Sequence, residues 1–305
     1  MILSPARRIT VVIVSWQVRE LLRLCLASIE SYKGQNQRSR GELDIDTIVI
    51  DNASQDHSVE MIQSEFPAVK LIANKVNRGF GAACNQGWRL ATGDIVLFLN
   101  PDCELIGDAL GEVCRFMSEQ PHVGIVGPRL EHVDGRLQHS CRRWPTIWSS
   151  ALILLKLHRI FPMCLPLRRY YMWAFRYATL REVDQVMGAC MFMRRSLLEN
   201  LNGFDERYFL WFEDVDICRR AKGAGWIIFF YPWATVRHNK SSSFGQRRPV
   251  WRQWYFAQSC RRYFRNHHSL PASLFIGLLS WLSLGPAIVA QLLLMAGLKP
   301  PKDEL

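Results

Sequence analysis

Four short, almost purely apolar runs, each separated from the next by a helix-length segment, constrain this chain more than any other feature. They are Ile9–Ser15, Thr47–Asp51, Val69–Ala73 and Asp94–Leu99. Between the first two, Val18–Ser31 carries Leu21, Leu22, Cys25, Leu26 and Ile29 at helical spacing. Asp56–Phe66, ended by Pro67, and Gly81–Ala91 predict two further helices. A strand that is apolar on both sides has to be covered on both faces, and strands joined through helices pair in parallel. The predicted fold is therefore α/β, a Rossmann-like sheet with helices on both faces. Ligands of such sheets bind at the carboxyl ends of the strands. Ser15, Asp51, Asn74 and Asn100 all fall near those ends.

The rest of the chain departs from this alternation. The 141–182 stretch is dense in Arg, Trp, Tyr and Leu, as in Trp144-Pro145, Trp148, Arg168-Arg169-Tyr170-Tyr171 and Trp173, and reads as an insertion of interfacial character. Val183–Arg194 returns to strand-like apolarity, Glu213–Ala224 reads as a helix, and Trp226–Tyr231 reads as a strand. A main domain over 1–240 is thus followed by a basic, aromatic connecting segment over 241–268. No charged residue occurs from Ser269 to Leu298, a run longer than the roughly 20 residues that a bilayer crossing needs. Gly285-Pro286 interrupts it. It is expected to meet a membrane, either spanning once with a kink or entering and returning as a hairpin. A buried pair of amphipathic helices is the alternative. The arginine-rich flank would place the main domain on the cytoplasmic side. A tail over 299–305 closes the chain.

The formal net charge of +11 suits phosphate-bearing partners: nucleotides, anionic lipid or nucleic acid. The nine cysteines are odd in number and form no CxxC pair. That argues against a zinc site or a disulfide framework and for reduced thiols in a cytosolic protein. Arg7-Arg8 before Ile9–Val14 imitates a signal peptide, but the run is short, β-branched and without a small-residue cleavage site, so it is expected to be the first strand. Lys302-Asp303-Glu304-Leu305 spell an ER-retention address. With no entry signal expected, it is read as incidental.

Several short patterns carry chemistry. Asp51 closes the second strand, where a carboxylate can accept the imide N–H of uracil or thymine; Ser54 and Asp56 equally fit a helix cap. In Asn77-Arg78-Gly79-Phe80-Gly81-Ala82-Ala83-Cys84-Asn85-Gln86-Gly87, the glycines permit close approach to a ligand and the helix start favours anions. The spacing is not a dinucleotide fingerprint. Arg78 could contact base or phosphate and Asn85 could face the site, or the loop could be a tightly packed glycine turn. Asn100-Pro101-Asp102 ends an apolar strand in a turn that presents Asp102 rigidly. Mg²⁺ binds through one or two carboxylates plus substrate phosphates, so one aspartate suffices if a second ligand arrives from elsewhere. His238 is the candidate. Glu213-Asp214-Val215-Asp216 starts a helix after the aromatic run Tyr208–Phe212. Acids in a first turn complement the helix dipole, but an aspartate aimed into a cleft can also take a proton from an attacking hydroxyl. Trp211 and Phe212 could form a sugar-stacking wall beside it. These patterns suggest an enzyme that moves a group off a nucleotide diphosphate.

The ordered set Val11–Ser15, Ile48–Ser54, Asn77–Gly87, Asn100-Pro101-Asp102, Gly188-Ala189-Cys190, Gly203-Phe204-Asp205-Glu206 and Glu213–Asp216 resembles a family-2 inverting glycosyltransferase of the GT-A fold, most of all the bacterial rhamnosyltransferase branch, over roughly residues 8–240. The resemblance implies a mixed sheet with a C-terminal membrane-associated helical segment. It implies donor contacts from Ser15, Asp51, Arg78, Asn85 and Asn100, with Asp51 and Arg78 facing the base. It implies metal ligation of Mg²⁺ or Mn²⁺ by Asp102 and His238, and Asp214 as the catalytic base. Trp211 and Glu213 fall on the acceptor side. The first position of the metal motif, usually acidic in the family, is Asn100 here, and Asn239-Lys240-Ser241-Ser242-Ser243 stands where glycines are common. Lys240 could add positive charge near the leaving diphosphate.

The expected reaction is a single displacement from a nucleotide-diphosphate sugar to a lipid-linked or polysaccharide acceptor at the cytoplasmic face of a bacterial inner membrane, with no role for nucleic acid. Two rivals come from other classes. A nucleotidyltransferase would need a glycine-rich basic loop near the first strand, and Ser15-Trp16-Gln17-Val18 is not one. A non-enzymatic membrane- or nucleic-acid-binding protein would leave the acidic and amide residues at strand ends unexplained.

Overall fold

A computed structural model of the chain describes residues 8–38, 43–239 and 248–295. Lys240, Arg247 and the tail with Lys302–Leu305 lie outside them.

The predicted alternation holds through the first half. It runs β1 (Arg8–Ser15), α1 (Arg19–Arg38), β2 (Asp44–Asp51), α2 (Ser58–Glu65), β3 (Lys70–Ala73), α3 (Phe80–Trp88) and β4 (Ile95–Leu99). Then follow β5 (Cys103–Ile106), α4 (Ala109–Glu119), β6 (Val123–Glu131) and two short strands, β7 (Leu137–Gln138) and β8 (Cys141–Arg142). The insertion contributes α5 (Ile147–Leu154) and α6 (Leu165–Tyr170). The second half adds β9 (Arg181–Glu182), β10 (Gln185–Val186), β11 (Cys190–Arg194), α7 (Arg195–Leu201), α8 (Glu213–Gly223) and β12 (Ile227–His238). Three helices close the described chain: α9 (Pro249–His267), α10 (Leu270–Leu282) and α11 (Leu284–Met295).

The main sheet has the order β3-β2-β1-β4-β11-β6-β12-β5. The β1–β2, β1–β4 and β2–β3 pairs are parallel, while β11 runs antiparallel to both β4 and β6. The sheet is therefore mixed. Period-two alternation in β1 sends Ile9, Val11 and Ile13 into one core with Leu22, Leu26 and Leu110, and Val12 and Val14 into a second core with Ala83, Phe98 and Ile217. Burying strands on both faces in this way is what the uninterrupted apolar runs require. Gly87 lets α3 lie close on the sheet, since a Cβ there would come within 2.3 Å of Val12 Cγ1.

Two elements differ from the sequence reading, and both differences bear on the site. The strand-like stretch Val183–Arg194 is broken between β10 and β11, because β10 pairs with β8 while β11 pairs with β4. Met187, Gly188 and Ala189 thereby cross the strand ends. The strand expected to stop at Tyr231 continues to His238 after a register shift between Tyr231 and Thr235. Pro232, which has no N–H to give to a ladder, falls within that irregularity. The continuation pairs β12 antiparallel with β5 and sets His238 opposite Cys103.

A third core joins α5, α9 and α10 to the main domain through Leu154, Tyr208, Phe212, Tyr263, Phe264 and Ile276. The chain does not turn back at Gly285-Pro286: α10 and α11 are joined through Ser283, itself in right-handed helical conformation. Leu270–Leu292 is long and apolar enough to cross a membrane, yet its most apolar 18-residue window is only 33% buried.

Candidate active site

The ends of β1, β2 and β4 and the crossing segment between β10 and β11 floor a cleft of about 370 Å³. Asn100, Asp102, Gly188, Trp211, Glu213, Asp214 and His238 all line it. Asp102 and Asp214, far apart in sequence, thus share one cavity.

At the β2 end, Asp51 is 1% exposed and lies just behind the cleft lining, which Asn52 reaches; its Oδ1 accepts a hydrogen bond from the Ser54 N–H (2.9 Å) and its Oδ2 has no protein partner among the described residues. Asn52, which the sequence did not single out, fastens the loops here. Its N–H donates to the Ser15 carbonyl (2.8 Å), its Nδ2 donates to the Gly79 carbonyl (3.1 Å), and its Oδ1 accepts from the Arg78 N–H (3.1 Å) and from Asn74 Nδ2 (3.1 Å). The Arg78 side chain is exposed and not part of the cleft lining. Gly79 has φ +86°, and a Cβ would lie 2.6 Å from the Phe209 carbonyl oxygen. Only glycine fits there.

Two further residues expected to contact the donor, Asn85 and Ser15, also lie outside the cleft lining. Asn85 is buried and pegs α3 to the loop between α7 and α8. Its Nδ2 donates to the Phe204 carbonyl and to Glu206 (both 2.9 Å), while its Oδ1 accepts from the Phe204 N–H and from Trp88 Nε1 (both 2.9 Å). Both ends of that amide are engaged by protein, leaving little to offer a ligand. Ser15 is fully buried and is not among the lining residues; by strand alternation its side chain shares the Ile13 face, and it serves the site through its carbonyl.

The cation end is built by the turn after β4. The Asn100 N–H donates to the Ala189 carbonyl (2.8 Å), the Cys103 N–H closes on the Asn100 carbonyl (3.1 Å), and the Asn239 N–H donates to the Asp102 carbonyl (2.8 Å). His238 Nε2 lies 3.3 Å from Asp102 Oδ1, and its Nδ1 lies 2.7 Å from Gln138 Oε1. With Gln138 Oε1 facing Nδ1, Nε2 is the ring nitrogen presented to Asp102. A carboxylate and an imidazole nitrogen at that separation can share a divalent cation such as Mg²⁺ or Mn²⁺. Cys103 is the third potential ligand within 4.8 Å. Burial pushes its thiol pKa well up and its Sγ donates to the Ala189 carbonyl (3.4 Å), so it stays a protonated neighbour.

Asp214 stands in the first turn of α8. Its Oδ2 accepts from the Gly188 N–H (3.0 Å) and its Oδ1 from the Val215 N–H (2.8 Å). Burial raises its pKa above the usual aspartate value, against those two N–H groups, which favour the charged form. Glu213 beside it is raised further, by burial first and by the charge on Asp214 second. A Cβ on Gly188 would meet Asp214 Cβ at 3.2 Å, so a side chain there would have to press the Asp214 side chain aside by a few tenths of an ångström. Ahead of α8, Trp211 and Phe212 adopt φ of 63° and 66°. Left-handed aromatics cost about 1–3 kcal/mol each and persist only where the surroundings hold them. Here Ser259 Oγ donates to the Leu210 carbonyl (2.7 Å), and Phe256 packs on both rings at 6.0 and 5.5 Å.

Arg142 and Tyr170 from the insertion, and Trp251 and Phe256 from α9, also line the cleft. Their segments stood out by composition, but nothing in the sequence marked the individual positions. Gln138 carries no sequence signal at all.

A mixed sheet with a carboxylate–histidine pair and a helix-borne aspartate at its strand ends defines a class, the GT-A glycosyltransferases. The mannosyltransferase PcManGT of Pyrobaculum calidifontis, solved in complex with GDP-Man and Mn²⁺, has the same fold, with a TM-score of 0.56 at 18% identity over 98% of this chain and 77% of that one. The family described as glycosyltransferase like family 2 matches residues 5–257. The chain is 30% identical over 223 residues to the N-acetylglucosaminyl-diphospho-decaprenol L-rhamnosyltransferase of Mycobacterium tuberculosis, covering 67% of this chain and 70% of the relative. It is 26% identical over 152 residues to the rhamnosyltransferase WbbL of Escherichia coli, covering 50% and 54%. The chain belongs to glycosyltransferase family 2, and it is an enzyme. The nucleotidyltransferase and non-enzymatic readings fall with that assignment.

Proposed function

We propose that this enzyme transfers a sugar, with rhamnose the first candidate, from a nucleotide-diphosphate donor to a hydroxyl of a lipid-linked or polysaccharide acceptor. The catalytic domain would work at the cytoplasmic face of a membrane. The observation that carries the reading is the convergence of Asp102, His238 and Asp214 on one cleft. Rhamnosyl transfer and a lipid-linked acceptor are supported by the relatives' names.

Asp51 would take the imide N–H of the base on its unpartnered Oδ2, in a loop frame fixed by Asn52. Asp102 and His238 would hold a divalent cation, Mg²⁺ or Mn²⁺, which when bound offsets the charge on the leaving diphosphate. Asp214 would remove the proton from the acceptor hydroxyl as it attacks the anomeric carbon from the opposite face, inverting the configuration as any single displacement does. Trp211 and Glu213 would border the acceptor, the indole as an apolar wall and the raised carboxyl as a hydrogen-bond donor.

A panel of nucleotide sugars, each offered with a GlcNAc-diphospho-prenol, tests the proposal. Nucleoside diphosphate released together with glycosylated lipid for dTDP-rhamnose, and for little else, is the expected result. Absence of transfer from every nucleotide sugar, or transfer with retained configuration, would overturn it.

A further inference from the structure

The 23-residue apolar stretch Leu270–Leu292 satisfies the length criterion for a membrane span. Its packing argues for a different placement. Positions Ala272, Ile276, Leu279, Ser283 and Ala287 recur at helical spacing and are buried. Leu270, Leu274, Leu278, Trp281, Ile288 and Leu292 recur on the opposite face and are open, from 48% exposed at Ile288 to 72% at Leu270. One face is therefore packed on protein from Ala272 to Ala287, and the other is a continuous apolar stripe that soluble surfaces rarely show.

The contacts these helices make with α9 argue against a crossing. Gln253 Nε2 donates to Ser283 Oγ (2.9 Å), and Ser280 Oγ donates to the Ala257 carbonyl (3.4 Å), so α9 runs alongside. Trp281, near the middle of the apolar stretch, packs on Trp254 at 5.6 Å and carries the Arg261 guanidinium 5.0 Å above its ring. A transmembrane placement would put Trp281 near the bilayer centre and take Arg261 with it. An unpaired arginine at the bilayer centre is strongly disfavoured. It would also pull in the catalytic domain, because α9 is tied to α8 by Arg219 to the Tyr263 hydroxyl (2.9 Å). A tryptophan beside an arginine belongs at the headgroup level instead.

We infer that α10 and α11 lie flat in one leaflet, with the aliphatic stripe from Leu270 to Leu292 facing the acyl chains, Trp281 at its headgroup border and the catalytic cleft held at the membrane surface. The occupant of the stripe is an anionic lipid bilayer. Arg261, whose guanidinium lies over the Trp281 ring on the stripe itself (5.0 Å), fits that partner. The cleft residue Trp251 and the Trp254 that packs on Trp281 both belong to α9, so the same helix serves both the cleft and the lipid side.

This inference deepens the membrane association proposed above but does not depend on the sugar chemistry, because its test uses neither donor nor acceptor. Full-length protein is floated with phosphatidylcholine–phosphatidylglycerol vesicles. Wild type should float, and Leu274→Glu/Leu278→Glu should not, while keeping the near-UV circular dichroism of wild type because both side chains are exposed. Depth is read from Trp281 as the fluorescence difference between wild type and Trp281→Phe in vesicles of brominated phosphatidylcholine. Bromines near the headgroup should quench it and bromines near the chain ends should not. Quenching chiefly by chain-end bromines would establish a span and overturn the inference. Flotation unchanged in the double variant would overturn it as well, as would an apolar stripe that mediates dimerisation without lipid binding.

Discussion

Asp216 and His267 meet at 2.7 Å, Oδ1 to Nε2, and join the helix that carries Asp214 to the last turn of α9. Asp216 also accepts hydrogen bonds from Arg220 Nε (2.7 Å) and the Tyr208 hydroxyl (3.3 Å). Asp216 is 1% exposed. A buried acid so placed fixes α8 along its length, and with it the direction in which Asp214 points. It also makes the lipid-facing helices and the catalytic helix parts of one rigid unit.

His267→Ala should therefore cost more than a surface substitution, because it withdraws a donor from a buried charge. A loss of about 1.5–3 kcal/mol in urea unfolding is expected for a hydrogen bond to a charged group. His267→Gln, which can still donate, should recover much of it. Equal stability of the alanine variant and wild type would show that Arg220 alone satisfies Asp216.

Asp214→Asn should lower kcat by roughly 10²–10⁴-fold, the usual contribution of a positioned base, with donor binding by calorimetry nearly unchanged. The acid limb of the wild-type pH–rate profile should lie above the ordinary aspartate range, because the pKa of Asp214 is raised and the base works only when ionised. A limb in the ordinary aspartate range would mean that another group limits the rate.

Glu213 carries the opposite consequence for stability. A carboxyl whose pKa is raised in the folded state destabilises the fold at pH above that raised value, and the penalty fades as pH falls toward its unfolded value. Glu213→Gln should accordingly raise Tm at neutral and alkaline pH, with the difference vanishing near the ordinary glutamate range in acid. A Tm gain that grows on acidification would refute the raised pKa.

Much of this architecture is legible in the sequence, for physical reasons that also mark where legibility ends. β1, β2 and β4 announce themselves because a doubly covered strand has no polar side. That Asp102 and Asp214 would share one cleft follows from their places, one at a strand end and one in a first helical turn after an aromatic run, and both do line it. Asn85 misleads because an amide that pegs two loops and an amide that binds a ligand are identical as letters; only the Phe204 and Trp88 partners decide. Pro232 hides the end of β12 because proline ordinarily closes a strand, whereas here the register slips around it. Gln138 is invisible because its meaning is a contact across 100 residues of chain.

The contact between Gly188 and Asp214 tests how exactly the base must sit. Gly188 does not have a positive φ, so Gly188→Ala meets no backbone obstacle. Its new Cβ would press on Asp214 Cβ at 3.2 Å and move the carboxylate by tenths of an ångström. A drop of about tenfold in kcat with little change in donor KM is expected, since misplacement by a full ångström costs about 10²-fold. Unchanged kcat would show that α8 yields without displacing the acid.

Gln138 is the last link, because it decides which nitrogen of His238 faces Asp102. Its Oε1 faces Nδ1 and so keeps Nε2 directed at the cation position. Gln138→Leu keeps the side-chain volume and removes that acceptor, freeing the imidazole to rotate or change tautomer. Partners of this kind contribute roughly 10–100-fold to metal affinity. The expected readout is a Mn²⁺ titration, followed by thermal shift in the presence of nucleoside diphosphate, whose midpoint moves to higher metal concentration by that factor. His238→Ala should move it at least as far, and adding Gln138→Leu to it should change nothing further, because the glutamine acts only through the imidazole. Additive losses in the double variant would mean that Gln138 contacts the cation or the nucleotide directly.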